Sequence, residues 1–217
     1  MAKLSRTFII QKPLSFADFS LFSIQLDTIL SNYLLVGVDI KINSSFNNEA
    51  KISLGTSLEK EKFMSLSSVN LQVEKRFILH LVKKLINSES IYLHLEGNPT
   101  LGEGYIYIYY ITPHLYKEKH FTNEDFHLGK IEVGEISQLS RGFNVYVENI
   151  FPFNEGSISV GKEGDINLLT PELDLSISNN YLIPTSSEVL SGEEINIYFQ
   201  GNPTQGEGNL IFYYFNR

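Results

Sequence analysis

Gly97-Asn98-Pro99-Thr100-Leu101-Gly102-Glu103-Gly104 returns, 104 residues on, as Gly201-Asn202-Pro203-Thr204-Gln205-Gly206-Glu207-Gly208. Around this motif, 11 of the 23 positions from Glu89 to Ile111 are identical at the same offset. Similarity at a fixed period marks a repeated structural unit. Further upstream, Val69-Asn70-Leu71 falls against Leu173-Asp174-Leu175, and Phe77 against Tyr181. With a small slip, the stretch from Glu49 to Gly55 meets that from Glu155 to Gly161, and Val36-Gly37-Val38-Asp39 resembles Val145-Tyr146-Val147-Glu148. The similarity spans most of each half, so the chain reads as one domain duplicated. Two copies of this length are too few and too long for a solenoid, and each must bury a core of its own.

The residues flanking the motif alternate with a period of two. Glu89 to Glu96 sets Ile91, Leu93 and Leu95 against Tyr92, His94 and Glu96, the pattern of a half-buried strand. Glu194 to Gln200 does the same. Strand, glycine-rich turn and strand make a hairpin. Further strands are predicted at Leu34–Ile42, Lys51–Leu54, Gly129–Gly134, Asn144–Ile150 and Ser157–Val160. The segment from Val73 to Ile86 also suits a helix face. The offset sets Pro184 opposite His80, however, and proline inside a helix costs about 3 kcal/mol, so a strand is favoured in both copies. The predicted fold is all-β: two tandem antiparallel β-sandwich, jelly-roll-like domains related by internal duplication, over residues 1–113 and 114–217. Tyr116 to Asp125, charged and turn-forming, reads as the linker. The first 30 residues find no counterpart in the second copy and are predicted to form an attachment arm.

The motif itself reads as a structural turn. Gly97, Gly102 and Gly104, with Gly201, Gly206 and Gly208, are expected to supply positive φ at no steric cost. Pro99 and Pro203 fix φ and extend the preceding Asn98 and Asn202. A Ca²⁺ held by Glu103 or Glu207 is the functional alternative, but one carboxylate per loop is thin against six to eight oxygens. The strand after the turn is more telling. Tyr105, Tyr107 and Tyr109 share one face and Ile106, Ile108 and Tyr110 the other; the sister strand sets Asn209, Ile211 and Tyr213 against Leu210, Phe212 and Tyr214. A strand without a polar face needs a second cover. Tyr105, Tyr107, Tyr109, Ile211 and Tyr213 are therefore the candidate interface, covered by a neighbouring subunit, by the rest of the chain, or by a stacked sugar.

Composition narrows the function classes. Of 217 residues, 17 are Lys or Arg and 25 Asp or Glu, for a net charge of −8, which argues against a protein that tracks nucleic-acid phosphates. Residues 1–113 carry a net +1 and residues 114–217 a net −9, so the two halves present different surfaces. With no cysteine there is no disulfide or thiolate metal site, and a reducing cytoplasm is a fitting place of synthesis. No apolar run reaches the ~20 residues of a membrane helix or forms a signal-peptide core. Neither G-x-S-x-G nor H-E-x-x-H occurs. His114, His120 and His127 fall near the linker at spacings that fit no zinc site, and His94 reads as a surface residue. Glu155, Glu163 and Asp165 read as a solvated face. The expectation is a non-enzyme without cofactor, metal, nucleic-acid or membrane partner.

One ordered set of features recurs in each copy. A Phe-Asn turn leads to a short strand ending in Gly (Phe153 to Gly161), then comes a polar loop (Lys162 to Asn167), a Leu-Asp-Leu element, and the glycine turn between two late strands. This set resembles β-sandwich repeats in virion proteins of tailed bacteriophages. The resemblance implies a structural part of the particle, of head-decoration, head-fibre or neck or tail accessory type, made in the host cytoplasm. It also implies contacts with other virion proteins and homo-oligomers. The first copy departs from the pattern by an extra residue, Asn48, and a longer lysine-rich loop. A carbohydrate- or receptor-binding β-sandwich module is the alternative reading.

Overall fold

The structure, a computed structural model, describes residues 7–113, 115–136, 140–177 and 180–214. The chain divides into two compact units, Arg6–Thr112 and the residues from Pro113 onward. The first contains β1 (Thr7–Ser15), a 3-10 turn (Phe16–Leu21), β2 (Ser23–Ile29), β3 (Leu34–Ser44), β4 (Lys51–Gly55), β5 (Arg76–Lys84), β6 (Glu89–Glu96) and β7 (Glu103–Ile111). The second contains β8 (Leu115–Thr122), a 3-10 turn (Asn123–Leu128), β9 (Lys130–Glu135), β10 (Ser140–Phe151), β11 (Ser157–Gly161), β12 (Leu173–Asp174), β13 (Tyr181–Val189), β14 (Glu194–Gln200) and β15 (Glu207–Tyr214). In the first unit the sheets run β1-β7-β3-β5 and β2-β6-β4; in the second, β8-β15-β10-β13 and β9-β14-β11-β12. All named pairings are antiparallel. Each unit is a jelly-roll sandwich, and the orders match strand for strand apart from the extra β12.

Alternation places the cores. Ile106 and Ile108 of β7 pack with Val38, Ile40, Ile52 and Leu93 between the sheets of the first unit. Leu210 and Phe212 of β15 pack with Val145, Val147, Ile158 and Ile197 in the second. Burying one such side chain contributes roughly 1.5–3 kcal/mol. The segment that also suited a helix is β5, and Pro184 stands in β13, an edge strand, where a missing N–H is tolerated.

Three expectations require correction. The linker at Tyr116 to Asp125 is β8 and the start of the second 3-10 turn. Its charges belong to an edge strand, which tolerates them and which they protect from unwanted pairing. Residues 7–29, expected as an attachment arm, are β1, the first 3-10 turn and β2, with Leu14, Phe19 and Ile29 buried; residues 1–6 lie outside the described residues. Residues 7–29 do have a counterpart: Ser15 and Thr122 face Glu103 and Glu207 in the same register, an offset of 107. The alignment of Val38 with Val147 is also out by two. Val38 pairs with Ile108 as Val145 pairs with Phe212. A shift of two keeps every side chain on its face, so alternation cannot detect it.

The 3-10 turns show a signal the duplication carried unnoticed. Ser15 donates its backbone N–H to Asp18 Oδ2 at 2.7 Å, and Thr122 donates likewise to Asp125 at 2.8 Å. An acceptor three residues after Ser or Thr closes the start of a helical turn, half of a capping box. Asp125→Ala is expected to cost the second unit about 1 kcal/mol, read as a lower urea midpoint at unchanged slope.

The glycine turn is built against the Phe-Asn turn. Gly102 and Gly206 have φ of +124° and +137°, and a Cβ on them would lie 2.4 Å and 2.1 Å from the rings of Phe46 and Phe153. The Asn47 and Asn154 Oδ1 atoms accept the Thr100 and Thr204 N–H groups at 2.8 and 2.9 Å. The eighth glycine serves otherwise than expected. Gly104 and Gly208 do not have positive φ; a Cβ would lie 2.5 Å from the Lys41 carbonyl and 2.7 Å from the Phe121 ring. They are small for space, not for conformation.

Candidate functional site

The outer face of the β1-β7-β3-β5 sheet is the surface the tyrosines create. Tyr105, Tyr107 and Tyr109 stand half-buried along β7, with the Tyr105 and Tyr107 rings 6.3 Å apart at 27°. On β1, Pro13, Gln11 and Ile9 lie directly opposite them; on β3, Lys41, Asp39 and Gly37 do. Ile9 is 57% exposed and Ile78, opposite Asp39 on β5, is 55% exposed. The result is a tyrosine-lined strip, part apolar and part charged, open to the surroundings.

One charge pair, a buried carboxylate and an exposed guanidinium, lies on the strip. The Asp39 carboxylate, 4% exposed, accepts from Arg76 Nε at 2.9 and 3.1 Å and from Arg76 Nη2 at 2.6 Å. Hydrogen bonding and the charge of Asp39 push the Arg76 guanidinium above its ordinary value. Such a fork fixes an arginine flat on a sheet. Sequence offered no sign of this pair: the partners are 37 residues apart and meet only through the β3–β5 register.

The corresponding face of the second unit is different. Ile211 and Tyr213 are 2% and 4% exposed, and Tyr146 beside them is buried too, so these candidate interface residues are not open as Tyr105, Tyr107 and Tyr109 are. Burial pushes the Tyr213 hydroxyl up to about 12 and raises that of Tyr146, where the charge of Glu148 adds to the effect. Asn180 donates to the Tyr146 hydroxyl at 3.0 Å.

The histidines do not converge. His94 is not at the surface: it is 5% exposed, with Nε2 at 2.8 Å from the Thr56 carbonyl, under the loop that follows β4. His120 stands on β8 against Asn209 and Glu207, at 3.0 and 3.6 Å, and His127 lies in the second 3-10 turn. His114 lies outside the described residues. Glu155, Glu163 and Asp165 are exposed. Among the described residues no group of three or more His, Asp or Glu is placed to hold a metal, and no helix is long and apolar enough to cross a membrane.

No protein-family model matches the chain, and no curated protein matches it in sequence. Solved structures are similar at low identity. A chain of the cyanophage Pam1 capsid asymmetric unit is 10% identical with a TM-score of 0.42, over 52% of this chain and 89% of that one. A chain of the acid-stable capsid of Helicobacter pylori bacteriophage KHP30 is 12% identical with a TM-score of 0.40, over 50% and 93%. The STIV MCP is 10% identical with a TM-score of 0.30, over 97% and 96%. At these scores the similarity carries no argument about function.

Proposed function

We propose that this chain is a structural component of a bacteriophage particle, a head-decoration or fibre protein or a neck or tail accessory protein. Residues 1–113 and 114–217 form its two domains, and it works through protein–protein contacts. The tyrosine strip of the first domain is the contact surface, and that strip is the observation that carries the reading. Tyr buries a large ring while its hydroxyl serves a polar rim, and Tyr and Arg are the residues that dominate binding energy at interfaces. Arg76, held by Asp39, lies among the tyrosines. A near-neutral first half also avoids the repulsion that contacts between two halves of net −9 would carry. The jelly roll hosts capsid and lectin domains alike, so the fold leaves the choice to the surface.

Mass spectrometry of purified particles is expected to find the chain at a fixed copy number. The triple variant Tyr105→Ser, Tyr107→Ser, Tyr109→Ser is expected to lower incorporation at least tenfold. It should fold normally, because the three rings lie outside the core. Normal incorporation of that variant removes the strip as the contact surface.

A carbohydrate-binding module is the second reading, favoured by the near-parallel Tyr105 and Tyr107 rings beside Gln11 and Asn43. Glycan-array binding that is lost with Tyr105 and Tyr107, together with absence from particles, would establish it instead.

A further inference from the structure

The end of the tyrosine strip differs from its counterpart in the second domain in a way that bears on the partner. On β8 and β15, His120 lies opposite Asn209 and Thr122 opposite Glu207. The imidazole has Nδ1 at 3.0 Å from Asn209 Oδ1, and its Nε2 lies 3.6 Å from the Glu207 carboxylate. On β1 and β7 the same register sets Pro13 opposite Tyr105 and Ser15 opposite Glu103. Proline has no donor to offer. The Glu103 carboxylate therefore stands exposed, with no group of the described residues bonded to it. A tyrosine ring replaces the amide of Asn209.

Tyr105 and Glu103 border a cleft of about 320 Å³, into which Lys12, Asp18 and Asn43 also reach. Lys12 is paired with Asp18 at 3.4 Å, and Asp18 already accepts from the Ser15 N–H and hydroxyl at 2.7 and 3.1 Å. Those two charges offset one another, which leaves the cleft with the negative charge of Glu103 beside an aromatic ring. An acceptor carboxylate next to a π face is the combination that holds an ammonium or guanidinium group. Arginine is the better fit, since its plane lies on a ring while its edge bonds a carboxylate.

We infer that this cleft receives a cationic side chain, an arginine or a lysine, from the protein that docks on the tyrosine strip. The partner's cation takes the place beside Glu103 that the His120 ring takes beside Glu207 in the second domain. This rests on the strip being a contact surface and adds the chemistry of the partner to it.

The test uses the full-length chain in two ways. In particles, Glu103→Gln and Tyr105→Leu are each expected to lower incorporation about tenfold, the effect of losing one cation contact of about 1.4 kcal/mol. Tyr105→Phe, which keeps the ring, should be incorporated normally. Pro13→His, which restores the histidine inside the chain, should lower incorporation as Glu103→Gln does. In solution, methylguanidinium chloride titrated into the isolated chain should shift the backbone NMR signals of Glu103, Gly104 and Tyr105 but not those of Asn209. Those shifts should vanish in Glu103→Gln. Normal incorporation of Glu103→Gln and Tyr105→Leu, with no response to methylguanidinium, overturns the cation cleft. If Tyr107→Ser with Tyr109→Ser still abolishes incorporation, the contact surface stands without it; if that variant is also normal, both fall. Glycan binding lost in Tyr105→Leu, with no methylguanidinium response, assigns the cleft to a saccharide and equally overturns the inference.

Discussion

Gly206→Ala is expected to lower the stability of the second domain by about 2–6 kcal/mol, a large part of what holds a domain of this size together. Two costs combine. Residue 206 has φ of +137°, a conformation that a residue with a Cβ adopts only under strain of about 1–3 kcal/mol. The new methyl would also lie 2.1 Å from Cδ1 and 2.2 Å from Cγ of Phe153. That ring has nowhere to retreat, because Phe121 and Phe126 pack against it at 5.7 and 5.5 Å between centroids. Overpacking of this kind adds about 1–3 kcal/mol. Hydrogen exchange should show lost protection in β11 and β15 and unchanged protection in β4 and β7. Gly164→Ala is the control: its φ is +83°, but nothing lies within 4 Å of the added carbon, so only about 1–2 kcal/mol of backbone strain is expected. Equal losses for the two variants would show that the ring contact is not the cause.

Phe153→Ala is expected to cost about 3–5 kcal/mol, the range for removing a buried aromatic. The ring is 2% exposed and closes the core at the end where the Phe-Asn turn, the glycine turn and the 3-10 turn meet. Its removal also frees the space that an alanine at 206 would need. The two changes should therefore not add: the double variant is expected to be about 1–3 kcal/mol more stable than the sum of the single losses predicts. Chemical denaturation of the four proteins measures this. Strict additivity would show that Gly206 is required for its backbone conformation alone. The same logic applies to Gly102 and Phe46 in the first domain.

The fold was legible in the sequence to an unusual extent because the duplication tested each local reading twice. Pro184 settled β5 as a strand, although β5 itself carries no decisive residue. The repeat was lost where the offset changes from 104 to 107, and there charge took over as the guide: Tyr116 to Asp125 read as linker when it is an edge strand. The Ser15-x-x-Asp18 and Thr122-x-x-Asp125 pairs, each followed by Phe, would have restored the alignment. The site was legible in part. Alternation set Tyr105, Tyr107 and Tyr109 together on one face of their strand as a candidate interface, but it gave Ile211 and Tyr213 the same standing, and those two are buried.

From its residues alone this chain declares a duplicated all-β unit, its core-facing positions and its glycine-dependent turns. These follow from a period of two and from backbone conformations that a few adjacent residues dictate. Only the tertiary structure decides that Asp39 meets Arg76, that Phe153 presses on Gly206, that Glu103 lacks the neighbouring imidazole Glu207 has, and which tyrosines remain open. Each of these depends on strands paired across tens of residues, and a change of register there leaves the local pattern untouched.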